Sequence, residues 1–297
     1  MLADLEAFIA SQLHAPVAVV VAGLWGLLWG SFGNVCIHRV PLGQSVVRPA
    51  SHCPHCQKEI AWFDNVPVLG WLMLRGRCRQ CAAPISALYP LFELLGGVLA
   101  VVLYLRFVAL GGETSPPLLL AQFLVYFGFA LTLAVLSVID WQLLLLPDRI
   151  TLPAIPLFYV LGRVLGDIGW LDALIGSAVG YLLIRAVSDG YYYLTGREGL
   201  GYGDGKLLGL IGALLGWQAL PWTLLMGSVS ACLISFPLLL WRRRAGQEIV
   251  ELRQTPVPFG PFLSLGALAY LLMLHGRNID EVMLSLFSRL GLARMLQ

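Results

Sequence analysis

Gly201-Tyr202-Gly203-Asp204-Gly205-Lys206 separates two apolar stretches and sets a carboxylate where an apolar helix begins. Three glycines in five positions let the backbone turn tightly and other groups approach it. Asp204 opens the apolar run Leu207 to Trp217. There it faces the partial positive charge of a helix N-terminus, which favours the ionised form. An ionisable residue at a membrane boundary points to function, yet Asp before an apolar run also caps helices routinely. Both readings stand until a second carboxylate is considered.

Hydrophobic residues make up 58% of the chain and charged ones 12%. Mean hydropathy is +0.80. Soluble chains average about 25% charged residues, so this is an all-α, polytopic integral membrane protein. The net charge of +2 is too small to imply a nucleic-acid partner. Residues 1–16 hold Asp4 and Glu6 and neither Lys nor Arg, unlike a cleavable signal, so the first span is expected to stay as an anchor.

At about 20 apolar residues per span, eight are expected: 17–38, 86–109, 118–140, 149–166, 172–193, 205–219, 222–241 and 259–275. Arg39, Arg48, Lys58, Arg75, Arg77 and Arg79 follow the first span, and Arg149, Arg185, Arg197, Lys206 and Arg242 to Arg244 fall on the same face. That bias puts the 39–85 loop in the cytoplasm. The segment from Asn278 to Gln297 reads either as an amphipathic surface helix or as a loose tail.

The same topology sets Asp140, at the end of the third span, on the cytoplasmic edge where Asp204 begins the sixth. Adjacent, the two form a site; apart, each is a cap or a solvated helix end. Asp148, in Leu146-Pro147-Asp148, is the rival, read as a cap or a supporting group. Glu93 and Asp189 also fall within spans, where each is snorkelling, paired or lining a site.

Cys53-Pro54-His55-Cys56 and Cys78-Arg79-Gln80-Cys81 are two Cys-x-x-Cys pairs. Four thiolates so spaced suit a tetrahedral structural zinc site with no position left for substrate. A loop of this size has little core, so a metal staple makes physical sense. Disulfides are disfavoured in a reducing compartment. Cys36 and Cys232 read as ordinary buried small residues.

The ordered motifs Gly33-Asn34-Val35 with Arg39, Ser51 to Cys56, Asn65-Val66-Pro67, Gly76 to Cys81, Ile85-Ser86, Tyr89-Pro90 with Glu93, Asp140, Leu146-Pro147-Asp148 and Gly201 to Lys206 cover most of the chain. In them the chain resembles the type IV prepilin peptidases, or leader peptidase/N-methyltransferases. The resemblance implies an aspartic protease of the Gly-x-Gly-Asp type with Asp140 and Asp204 catalytic, and Asp148, Gly201, Gly203 and Lys206 in support. It implies cleavage of a basic leader from prepilins and pseudopilins after a glycine. S-adenosylmethionine then methylates the new N-terminus, in the inner membrane. The cysteine loop is associated with that second activity. The family often has Lys where Arg77 stands. Gly76 and Arg77 are candidates for methyl transfer, Arg77 through the donor's carboxylate, or else they only shape the zinc knuckle.

The domains expected are 1–38 as an anchor, 39–85 as the zinc domain, 86–277 as the peptidase and 278–297 as a tail. Two carboxylates sharing a proton can activate water and protonate a leaving amine. Leader contacts are expected from Glu59, Asp64, Glu198 or Glu248, on charge alone. The competing class is a transporter or assembly factor with a zinc-stapled loop; a further alternative keeps the peptidase and drops methylation. Nothing in the sequence sets the oligomeric state.

Overall fold

The computed structural model of the chain describes residues 13, 15–110, 115–165, 168–196, 199, 201–244 and 257–275, the side chains of 238–244 excepted. Its helices are α1 (Pro16–Arg39), α2 (Leu69–Met73), α3 (Leu88–Tyr104), α4 (Pro116–Leu143), α5 (Asp148–Leu165), α6 (Trp170–Thr195), α7 (Tyr202–Leu215), α8 (Ala219–Arg244) and α9 (Gly260–Met273). A 3-10 turn at Trp62–Asn65 precedes α2, and a π turn at Leu105–Ala109 continues α3. Apart from the short α2, these helices lie on the eight spans expected. Among the described residues there is no strand, only isolated bridges at His52–Glu59 and Arg77–Pro84.

Among the described residues, five helices are long and apolar enough to cross a membrane: α1, α3 with its π turn, α4, α6, and α8 from Ala219 to Pro237. The protein is therefore a multi-pass membrane protein. The other three fall short for identifiable reasons. Helix α5 carries Asp148, Arg149 and Arg163 as well as Pro153 and Pro156. Helices α7 and α9 have 14 residues each. Every residue of α7 from Leu207 to Leu215 is buried in protein, so lipid does not set its length. The expected segment from Asn278 to Gln297 lies outside the described residues.

The chain divides into two compact units, Met1–Ile150 and Thr151–Gln297. In the first, α1 packs on α3 through glycines. A methyl group added to Gly96 would stand 2.5 Å from the Gly26 carbonyl oxygen. In the second, α6 packs on α7 in the same way: a methyl on Gly176 would stand 2.7 Å from the Gly212 carbonyl oxygen. Lipid offers no hydrophobic drive between helices, so close backbone approach supplies the attraction instead.

Gly176→Val forces two backbones apart and should cost about 3 kcal/mol by overpacking, read as a lower Tm in detergent. Gly190→Ala on the same helix is the control. Its methyl would meet nothing within 4 Å, and alanine favours helix.

Candidate active site and metal centre

Helix α7 starts earlier than its apolar run suggests. Gly201 is the N-cap residue, with φ −69° and ψ 137°, and Asp204 stands third in the helix. Asp204 is thus not the cap. Its N–H donates to the Gly201 carbonyl at 3.0 Å. Its carboxylate bends back over Gly201, where an added methyl would lie 3.6 Å from Oδ2. Asp204 is only 8% exposed. Gly203 and Lys206 flank it, both half-buried.

The turn is tied to α6 through residues the sequence alone left open. Tyr202 donates its hydroxyl to Asp189 Oδ1 at 2.8 Å. Arg185 Nε lies 3.4 Å from Asp189 Oδ2, and its guanidinium stands 5.4 Å over the Tyr202 ring. Asp189 is therefore paired, and the tyrosine within the glycine-rich motif is what connects it to α6. Gly205 brings α7 close to α6: its methyl would stand 3.2 Å from the Tyr181 carbonyl oxygen.

Asp140 lies in the last turn of α4, three residues before the helix ends rather than at its end. Its carbonyl accepts the N–H of Leu144 at 2.8 Å, where a left-handed residue (φ 53°) closes the helix. Asp140 is 6% exposed and follows the fully buried Ile139. Carboxylates are rarely buried so deeply unless paired. Asp148 differs: it is exposed and is the first residue of α5. Burial thus separates Asp140 and Asp204 from their rival.

The four cysteines come together. The sulfurs of Cys53, Cys56, Cys78 and Cys81 all lie within 4.8 Å of one another, with Cys53 and Cys81 3.8 Å apart. A tetrahedral ion at about 2.3 Å from each sulfur needs edges of about 3.75 Å, so the cluster fits a metal. The two halves repeat one backbone turn. In the first, the Cys53 N–H donates to Lys58 O at 3.0 Å, the Gln57 N–H donates to Cys53 O at 2.9 Å, and Gln57 has φ 58°. In the second, the Cys78 N–H donates to Ala83 O at 2.8 Å, the Ala82 N–H donates to Cys78 O at 2.9 Å, and Ala82 has φ 56°.

Backbone N–H groups of Cys81 and Gln80 lower the Cys78 thiol to about 6. At Cys81 the Ala83 N–H also lowers the thiol, but burial and the neighbouring sulfurs outweigh it and push the value up to about 11. Sulfurs this close resist simultaneous ionisation until a cation joins them.

Around the knuckles, Arg79 donates to Asp64 from Nε at 2.7 Å and stacks over Phe63 at 5.4 Å. That guanidinium holds the Asp64 carboxyl below its ordinary value. Asp64 is therefore committed within the loop and poorly suited to greet a leader, whereas Glu59 is exposed. Glu198 and Glu248 lie outside the described residues. Gly76 is built into the loop: it has φ 68°, and an added methyl would stand 2.9 Å from the Trp71 ring. Arg77 is exposed. Glu93 accepts the Val68 N–H at 2.7 Å and is thus paired.

The chain is similar to known proteins over most of its length. The model of the bacterial peptidase A24 N-terminal domain matches residues 24–107, and that of the type IV leader peptidase family matches residues 127–236. A prepilin leader peptidase/N-methyltransferase of Aeromonas hydrophila is 38% identical over 291 residues, covering 89% of this chain and 93% of its own. Proteins of the same name from Myxococcus xanthus and Klebsiella pneumoniae are 39% and 44% identical, covering 84% and 70% of this chain and 72% and 90% of their own. No solved structure gives a significant match. With both parts matched and relatives aligned over most of its length, the chain belongs to the type IV leader peptidase family.

Proposed function

We propose that this protein removes the leader of prepilins and pseudopilins after a glycine and methylates the new N-terminus. The observation that carries the reading is the burial of Asp140 and Asp204 at helix ends, 6% and 8% exposed, in a leader peptidase chain. One carboxylate takes a proton from water as it attacks the scissile carbonyl; the other protonates the leaving amine. Gly201 and Gly203 keep the backbone beside Asp204 low, and Lys206 and Asp148 support the site. The name that the relatives carry, prepilin leader peptidase/N-methyltransferase, supports both activities.

Residues 39–85 form the metal domain and 86–277 the peptidase, after an anchor at 1–38 and before a tail at 278–297. Cys53, Cys56, Cys78 and Cys81 hold zinc as a structural ion. S-adenosylmethionine supplies the methyl group, and Arg77 pairs with its carboxylate. Gly76 has a packing reason of its own beside Trp71. The basic residues after α1 favour a cytoplasmic loop and an inner-membrane location.

Purified protein, a prepilin and S-adenosylmethionine should yield a product whose mass shows leader loss and one added methyl group. Leader loss without methylation would leave a peptidase alone; neither reaction would reject the reading. Arg77→Ala, tested in parallel on prepilin and on already cleaved pilin, should cut methyl transfer by about tenfold or more and leave cleavage near normal. Equal loss of both reactions would make Arg77 a structural residue.

A further inference from the structure

Helix α2 lies lower than a loop between two membrane helices needs to. Helices α1 and α3 run antiparallel in a fixed register. Asn34 Nδ2 donates to Tyr89 O at 3.0 Å, and a methyl on Gly30 would stand 2.8 Å from Glu93 Cα. At about 1.5 Å per residue, Glu93 is about 13 Å below the end of α1 at Arg39 and about 7 Å below the start of α3 at Leu88. Its side chain leans toward the N-terminal end of α3, and its carboxylate accepts the Val68 N–H at 2.7 Å, so α2, which starts at the next residue, is tied to the first turns of α3 rather than standing beyond them.

The entry turn is strained. Val68 has φ 62° and ψ −51°, and the Leu69 N–H donates to Pro67 O at 2.6 Å across it. A β-branched residue rarely tolerates this conformation, so the fold holds α2 at this depth against a local cost.

The surroundings at this depth say what covers the helix. Leu91, Leu94 and Leu95, on either side of Glu93, are 58%, 45% and 41% exposed. Trp29 and Phe32 flank Gly30 and are exposed as well, as aromatic side chains are at a membrane interface. On α2, Gly70 is buried and Trp71 donates its indole N–H to Ile85 O at 3.0 Å, inside the loop. Leu69, Leu72 and Met73 are instead 57%, 56% and 75% exposed.

We infer that α2 is an interfacial helix and that Leu69, Leu72 and Met73 sit among the acyl chains at the edge of the bilayer. The occupant of this face is phospholipid. The docked helix holds the cysteine domain flat against the membrane surface, where a substrate anchored in the bilayer presents its soluble end. This surface assignment is independent of the proposed chemistry.

The test uses the unsubstituted protein in phospholipid nanodiscs. A photoreactive carbene probe confined to the acyl region is activated, and peptides are mapped by mass. The peptide holding Leu69–Met73 should be labelled within about threefold of the one holding Leu91–Leu95. It should exceed the peptide around Val47, 79% exposed in the same loop, by about tenfold. Labelling at the Val47 level would overturn the inference, and a second protein copy covering the face would give that result too. Hydroxyl radicals generated in water should show the reverse order, with Met73 protected. Ready oxidation of Met73 would also overturn it.

Discussion

Asp204→Asn is expected to abolish leader cleavage, by about a thousandfold or more, while the protein stays in the membrane and still methylates an already cleaved pilin. Asparagine keeps the size of the side chain but takes up no proton, so water is not activated. The same loss is expected for Asp140→Asn. Both side chains are buried, so solvent does not substitute for them. Asp148→Asn should change cleavage less than about threefold, because Asn at a helix start serves nearly as well as Asp. Prepilin processing followed by mass reads all three, and methylation of cleaved pilin reports folding. Near-normal cleavage by either of the first two variants removes that residue from the pair.

The second large effect concerns the metal. Protein purified without chelators should carry about one zinc per chain, and Cys53→Ser should carry almost none. Structural zinc contributes on the order of 10 kcal/mol to small domains, far more than the few contacts inside this loop. Among the four ligands, Cys53 is the buried one, so its loss opens the cluster from inside. Trypsin should then cut at Arg75, Arg77 or Arg79 at least about tenfold faster. Elemental analysis showing no metal, with thiols reacting freely, would count against the site.

Eight helices were legible as apolar runs, and the five long enough to span a membrane have few other readings. The two Cys-x-x-Cys pairs were legible for a similar reason, since their spacing constrains geometry directly. What escaped was set by contacts distant along the chain. Hydropathy marks α7 as apolar but not as buried on all sides. The register of Gly26 on Gly96, or of Gly176 on Gly212, is a pairwise property. The spacing Gly26-x-x-x-Gly30 and Gly176-x-x-x-Gly180 was the available signal. Asp204 looked like a cap because the apolar run begins after it. The helix begins at Tyr202, whose hydroxyl needs Asp189 on another helix to explain it. Glu93 stood open between a snorkelling, a paired and a site-lining group until Val68 supplied its partner.

The repeated knuckle also sets a timetable for synthesis. The first turn, around Cys53, leaves the ribosome with two thiols, too few to hold an ion firmly. The second completes the set only at Cys81, and α3 starts seven residues later, at Leu88. Metal capture and entry of the second membrane helix therefore fall almost together during translation. Once α3 meets α1 along their glycines, the loop ends are pinned and less chain entropy opposes closing the cluster. Chains made without the metal would be expected to insert fully while the cysteine loop stays open.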